Sequence, residues 1–152
     1  MTVAPELEAY TGFLVRALQQ VHLDLWAAGA PFGVTGIQFG VLTLVEAHPG
    51  IDQKTLGDLL QLDRSTIADL VARLQRQGYL ERIPDVVDRR RRLLTLTGPG
   101  RDALPPLRAH AEDINARLIA TLDPEDQAQL RRILATLLSA REDAPVLPPS
   151  TS

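Results

Sequence analysis

Residues 85–97 read Asp-Val-Val-Asp-Arg-Arg-Arg-Arg-Leu-Leu-Thr-Leu-Thr, with four consecutive arginines, Arg89, Arg90, Arg91 and Arg92, between an acidic turn and an apolar run. A strand-like stretch, Tyr79-Leu80-Glu81-Arg82-Ile83, precedes the turn, and a second, Leu93-Leu94-Thr95-Leu96, follows it. Two such runs around a charged turn predict a β-hairpin with a cationic tip. Guanidinium groups pair bidentately with phosphate, and on a narrow projection they fit the negative potential of a minor groove. Most arginine runs are solvated loops, so the reading depends on what surrounds the hairpin.

Upstream of it the apolar residues recur at helical spacing. Ile67, Leu70, Val71 and Leu74 form one face of a helix over about 64–77, with Asp63 as its N-cap and Gly78 as its stop. A shorter helix over about 53–60 turns Leu56, Leu59 and Leu60 inward. Before that, Thr35 caps a helix over about 36–47 that ends at His48-Pro49-Gly50. A first helix over about 5–28 repeats Leu7, Tyr10, Leu14, Leu18, Val21 and Leu25. Downstream, Thr97-Gly98-Pro99 starts a long helix to about Leu122, with Leu104, Leu107, Ala111, Ile114 and Leu118 as a heptad-like seam suited to a second helix. Pro105-Pro106 inside it predicts a kink or break. Asp123-Pro124-Glu125 starts a last helix to about Ala140.

Two short helices with a tight turn, followed at once by a basic hairpin, make a winged helix-turn-helix. The fold class is thus mainly α with a small β-hairpin wing, framed by N- and C-terminal dimerisation helices. The expected organisation is one domain. The DNA-binding part covers about 34–97, the dimerisation helices about 5–30 and 98–141, and residues 144–152 are a Pro- and Ser-rich tail. In such a motif the second helix puts its N-terminal residues on base edges. Here those are Arg64, Ser65 and Thr66. Arg pairs bidentately with guanine, whereas Ser and Thr bond either base type or a phosphate. Gln53 and Lys54 start the preceding helix, whose positive end suits a phosphate.

Composition sets the bounds. The 152 residues carry a net charge of −3, which by itself disfavours a nucleic-acid partner. The distribution reverses that argument. Residues 61–101 hold nine Arg against five acids, and the remainder holds seven basic and fourteen acidic residues. A basic segment on an acidic body is a local electrostatic footprint for DNA. There is no Cys, which excludes thiolate metal sites, thiol redox sensing and a cysteine nucleophile. His22, His48 and His110 lack metal-ligand spacing, and neither a metal nor any other cofactor is expected. Arg64-Ser65-Thr66 lacks the glycines of a nucleophile elbow, and no phosphate-cradling loop is present, so an enzyme is not expected. No signal peptide or membrane-length apolar run is visible, so the expected location is cytoplasmic.

These pieces resemble the MarR family of transcriptional regulators. The matching segments are Val34-Thr35-Gly36 before Gln38-Phe39 and Leu42, then Thr55-Leu56-Gly57-Asp58-Leu59-Leu60 and Asp63-Arg64-Ser65-Thr66-Ile67. They continue with Arg73-Leu74-Gln75-Arg76-Gln77-Gly78-Tyr79-Leu80, the wing Asp88-Arg89-Arg90, then Leu96-Thr97 and Gly100. The resemblance implies a homodimer held by the first and last helices on pseudo-palindromic double-stranded DNA. It implies repression relieved by a small molecule, often an aromatic acid. Asp88 is implied as the residue orienting an arginine and Arg90 as the wing-tip arginine, with Ser65, Thr66 and Arg73 as recognition-helix contacts. Asp69 departs from the pattern, because many relatives place a basic or neutral residue there. An acid at that position either repels phosphate or reads a cytosine amino group.

Five of the six aromatic residues, Tyr10, Phe13, Trp26, Phe32 and Phe39, fall between residues 10 and 39, and Tyr79 is the sixth. They serve either core and dimer packing or an aromatic-lined pocket between the first two helices and the long fifth one. For the second reading the guest is a planar aromatic acid or its thioester. Its ring would lie against Phe39 or Trp26 and its anion near Arg16 or His22. Two alternatives remain open: a DNA-binding regulator without a ligand, and a winged-helix module that binds protein only.

Overall fold

The structure, a computed structural model, describes residues 3–85 and 92–139. After a single 3-10 turn at Pro5–Leu7, helix α1 spans Thr11–Ala27, α2 Gly36–Ala47, α3 Gln53–Leu60 and α4 Arg64–Arg76. Helix α5 spans Gly98–Leu118 and α6 Pro124–Ser139. The strands are β1 (Ile51–Asp52), β2 (Leu80–Pro84) and β3 (Arg92–Leu96), in the order β1-β3-β2, antiparallel throughout. The chain divides into two units, residues 1–115 and 116–152.

The helix starts follow from their caps. Thr35 and Gln38 close a reciprocal capping box at α2: the Gln38 N–H donates to Thr35 Oγ1, and the Thr35 N–H donates to Gln38 Oε1. Asp52 accepts from the Thr55 N–H at the start of α3, and Asp63 performs the same service for α4. Gly78 ends the α4 segment with φ 79°, a left-handed conformation that a side chain would strain. The Thr35 cap is worth about 1 kcal/mol.

The core of the first unit is built from single faces of these elements. Val41, Leu42 and Val45 of α2, Leu56 of α3, and Ile67, Val71 and Leu74 of α4 meet Ile51, Leu80, Leu94 and Leu96 of the sheet. Ala103, Leu104, Leu107 and Ile114 of α5 complete it. Burying one such aliphatic side chain stabilises by roughly 1.5–3 kcal/mol. The wing is anchored in this core. Its register pairs Leu80 with Leu96 and Pro84 with Arg92, and three of its side chains, Leu80, Leu94 and Leu96, are buried.

Several expectations change. The first helix does not begin at Pro5; the 3-10 turn intervenes and α1 starts at Thr11. Leu59 is exposed, leaving Leu56 as the fully buried leucine of α3. The long helix ends at Leu118 rather than Leu122. It also runs through Pro105-Pro106 without interruption. Both prolines are exposed, as are Arg101 and Asp102, whose carbonyls lose their helical partners, so water can take those bonds. The heptad-like seam is not a free face either. Leu104, Leu107 and Ile114 are fully buried in the core of the same chain. The apolar residues left uncovered are instead Tyr10, Phe13, Leu14, Val15 and Leu18 near the start of α1, and Ile133, Leu134, Leu137 and Leu138 on α6.

Candidate nucleic-acid interface

Arg64, Ser65 and Thr66 form the first turn of α4, and all three are exposed. The core stripe Ile67, Val71 and Leu74 fixes which way the helix faces, and the outer side carries Ser65, Thr66, Asp69, Arg73 and Arg76. Thr66 and Arg73, seven residues apart, share a face two turns apart. This is the arrangement expected of a helix that presents its start to base edges and its later turns to a backbone.

The start of α4 is organised by Asp63. Its Oδ1 accepts from the Ser65 N–H (2.9 Å), the Thr66 N–H (2.9 Å) and the Ser65 hydroxyl (2.5 Å). Its Oδ2 accepts from the Thr66 hydroxyl (2.6 Å). These bonds, led by the Ser65 and Thr66 hydroxyls, hold the Asp63 carboxyl well below the usual carboxylate range. The sign follows: the cap is in place above the ordinary Asp range and is lost only as pH falls below it.

Gln53 and Lys54 open α3 beside this turn. Lys54 pairs with Asp58 one turn on, at 3.1 Å, with both side chains exposed. The Asp52 carboxylate already occupies the capping position, so the positive end of α3 has a negative partner before any phosphate arrives. Gln53 is held by the wing, because Arg82 of β2 donates to its Oε1 at 2.8 Å. A cleft of about 700 Å³ is lined by Gln53, Asp63, Arg64, Ser65, Ala68 and Arg82. A neighbouring one of about 560 Å³ between α3 and α4 includes Lys54, Leu62, Arg64 and Ile67. The structure thus gathers Gln53, Lys54, Arg64 and Ser65 on one surface. It adds Arg82, which sequence reasoning passed over as a strand residue.

Arg92 begins β3 and is exposed. Asp88, Arg89, Arg90 and Arg91 lie outside the described residues. The base of the wing is closed by Thr97, whose hydroxyl donates to the Gly78 carbonyl, and by Arg101, which donates to the Leu96 carbonyl at 2.8 Å.

The expected ligand residues divide. His22, Trp26 and Phe39 come together, with the Trp26 ring 5.5 Å from Phe39 and 6.3 Å from His22. Arg16 is exposed earlier on α1. Trp26 is itself a core residue, 6% exposed, and its indole N–H donates to the Val34 carbonyl at 2.7 Å. Its first role is to fix the segment leading into α2. His110 of α5 completes the cluster. It stacks edge-on against Trp26 at 5.1 Å, with its Nε2 3.1 Å from the Trp26 carbonyl oxygen. Eighty-four residues separate the two, so no local pattern pointed to the pairing. Gln38 is buried and its Nε2 has no hydrogen-bond partner among the described residues.

Among the described residues no group of three metal-ligating side chains assembles, and no helix is long and apolar enough to cross a membrane. A sequence profile of the MarR family matches residues 32–91, from the turn before α2 into the wing. The PcaV transcriptional regulator from Streptomyces coelicolor, solved with its natural ligand, is 36% identical, with a TM-score of 0.84 over 92% of this chain and 99% of that one. The transcriptional repressor CouR, solved on a 23-mer DNA duplex, is 30% identical, with a TM-score of 0.80 over 91% and 99%. BpsR of Bordetella bronchiseptica, whose DNA binding is regulated by 6-hydroxynicotinic acid, is 25% identical, with a TM-score of 0.76 over 84% and 97%. With a wing, a capped recognition helix and end-to-end likeness to these regulators, the chain belongs to the MarR family of transcriptional regulators, DNA-binding proteins and not enzymes.

Proposed function

We propose that the chain acts as a homodimeric repressor that leaves a pseudo-palindromic operator when a small aromatic acid, or its thioester, binds. The observation that carries the DNA-binding half is the surface shared by Arg64, Ser65, Gln53 and Arg82, where recognition helix and wing meet. CouR, similar over nearly its whole length, is a repressor solved on DNA. The wing segment Asp88 to Arg92 supplies further guanidinium groups, with Arg90 at the tip and Asp88 orienting it. Arg73 and Lys54 hold the phosphate backbone.

The dimer rests on the exposed apolar residues. A small monomer rarely leaves so many large side chains in water. Tyr10 and Phe13, edge-to-face at 6.4 Å, start a stripe that continues through Leu14 and Leu18. Light scattering at micromolar concentration is expected to give twice the chain mass for the wild type. Leu14→Glu with Leu18→Glu should bring it toward the monomer. A wild-type monomer would remove the two-half-site reading.

The ligand half rests on the cluster of His22, Trp26, Phe39 and His110, and on the buried Gln38, whose Nε2 has no hydrogen-bond partner among the described residues. A buried donor without an acceptor costs roughly 1–3 kcal/mol, which an oxygen-bearing guest or a water offsets. Trp26 is better read as the floor of that site than as a wall facing the guest. PcaV and BpsR, similar to this chain, are solved with a natural ligand and regulated by an aromatic acid respectively. A guest acts only by binding one spacing of the two recognition helices more tightly than the other. In calorimetry with hydroxylated benzoic and nicotinic acids, Arg16→Ala and His22→Ala should each weaken binding about tenfold, the scale of one charged hydrogen bond. Ligand-free DNA affinity should hold. Full ligand affinity in both variants would place the anion elsewhere.

A further inference from the structure

A hydroxyl has one proton to donate and two lone pairs to accept with. For an unconstrained Ser or Thr on a recognition helix this leaves the base preference open, since the same side chain serves a donor or an acceptor. In this chain it is not open. The Ser65 proton points at Asp63 Oδ1 at 2.5 Å and the Thr66 proton at Asp63 Oδ2 at 2.6 Å. Both carboxylate oxygens are thereby engaged, and Oδ1 takes the two backbone N–H groups as well. An ionised carboxylate accepts and never donates, so it does not hand the protons back. What Ser65 and Thr66 still offer to a partner is lone pairs.

We propose that Asp63 is a positioning residue that sets the base preference of the recognition helix. By holding both hydroxyl protons, it turns Ser65 and Thr66 into acceptors that read the exocyclic amino groups of adenine (N6) or cytosine (N4) in the major groove. The inference rests on the DNA-binding reading above and adds to it which bases are read. Phosphate oxygens, guanine N7 and O6, and thymine O4 are all acceptors and make poor partners for such hydroxyls. The same face supports this. Asp69, four residues after Ser65, is exposed and is also an acceptor. Three acceptors, Ser65, Thr66 and Asp69, on the outer side of α4 suit amino groups, and the same acid would repel a backbone phosphate. Arg64 and Arg82 beside Asp63 leave the contact with guanine or phosphate to guanidinium groups.

The test uses the full-length protein and an operator selected from random duplexes. Each adenine in the half-site is replaced by purine deoxyriboside, which lacks N6. Each cytosine is replaced by the 2-pyrimidinone nucleoside, which lacks N4. At one or more positions wild-type affinity should fall about tenfold. At the position read by Thr66 that sensitivity should vanish in Thr66→Val, which keeps the shape and loses the hydroxyl. Asp63→Asn is the decisive variant. Asn caps a helix as well as Asp, so α4 is kept, but one carboxylate oxygen becomes an NH₂ that cannot take a hydroxyl proton. Repeating the selection with Asp63→Asn should move the preference toward guanine or thymine at the affected position. An unchanged selected sequence with unchanged analogue sensitivity overturns the proposal. So does a wild-type protein indifferent to every amino deletion on an operator it still binds specifically. If Asp63→Asn does not fold, the Thr66→Val comparison decides alone. Failure to select any operator would bring down the DNA-binding reading itself, and this inference with it.

Discussion

Gly100→Ala is expected to lower stability by about 3 kcal/mol, near the upper end for forcing an atom into a packed site. A Cβ on Gly100 would stand 2.1 Å from the Tyr79 carbonyl oxygen, 3.0 Å from its carbonyl carbon and 3.3 Å from its Cα. All three are backbone atoms at the foot of the wing, so no rotamer change relieves the clash. The same carbonyl accepts from the Thr97 N–H at 3.1 Å, and the Gly100 N–H donates to Thr97 Oγ1 at 3.0 Å. Moving α5 away to admit a methyl group therefore breaks the closure that joins wing and helix. For a chain of this size the loss amounts to a fall of roughly 10 °C in Tm. Gly98→Ala is the control, because nothing lies within 4 Å of its added Cβ. It should be neutral or slightly stabilising, by about 0.5 kcal/mol, as helix propensity suggests. Thermal denaturation of the two variants checks this. Equal melting temperatures for Gly100→Ala and wild type would mean that wing and α5 are not packed as described.

The second large effect is expected on DNA. Arg90→Ala should weaken operator binding by roughly 1–3 kcal/mol per half-site and lower the salt slope by about one per lost phosphate contact. Strands β2 and β3 are in register as far as Pro84 and Arg92, and the sequence joining them carries Arg89, Arg90 and Arg91. Asp88→Ala should weaken binding as well. An acid gains nothing from touching DNA directly, so a loss there reports an arginine that has lost its orientation. Titrations at three salt concentrations by fluorescence anisotropy separate the two variants. Arg90→Ala binding with wild-type affinity and slope would take the wing off the DNA.

Much of this surface was legible in the sequence because its signals are local. Thr35, Asp63 and Gly78 sit at helix ends where their chemistry is needed, and α2 begins and ends where its cap and breaker place it. The apolar period of α4 showed which side faces the core, and hence that Ser65, Thr66 and Arg73 face out. What was not legible depends on distant partners. Strand β1 is two residues long and is defined by the pairing of Ile51 with Leu94 and Asp52 with Leu93. Leu104, Leu107 and Ile114 have the spacing of a helix–helix seam whether the partner is another subunit or their own core, and burial decided for the core. His110 had no reason to be linked with Trp26 until the fold brought α1 and α5 together. Arg82 looked like a strand residue and turned out to grip Gln53. Asp63 was visible as a cap, but its hold on the Ser65 and Thr66 hydroxyls required coordinates.

The central claim is that α4 and the wing form a sequence-specific DNA-reading surface, presented twice by a dimer. Selection of bound duplexes from random sequence, followed by anisotropy titration of the winner against random DNA, tests it most directly. The predicted result is a pseudo-palindrome with half-sites about one helical turn apart, bound at least ~10³-fold more tightly than random duplex at physiological salt. Enrichment of no sequence, with selected and random duplexes bound alike, would contradict it.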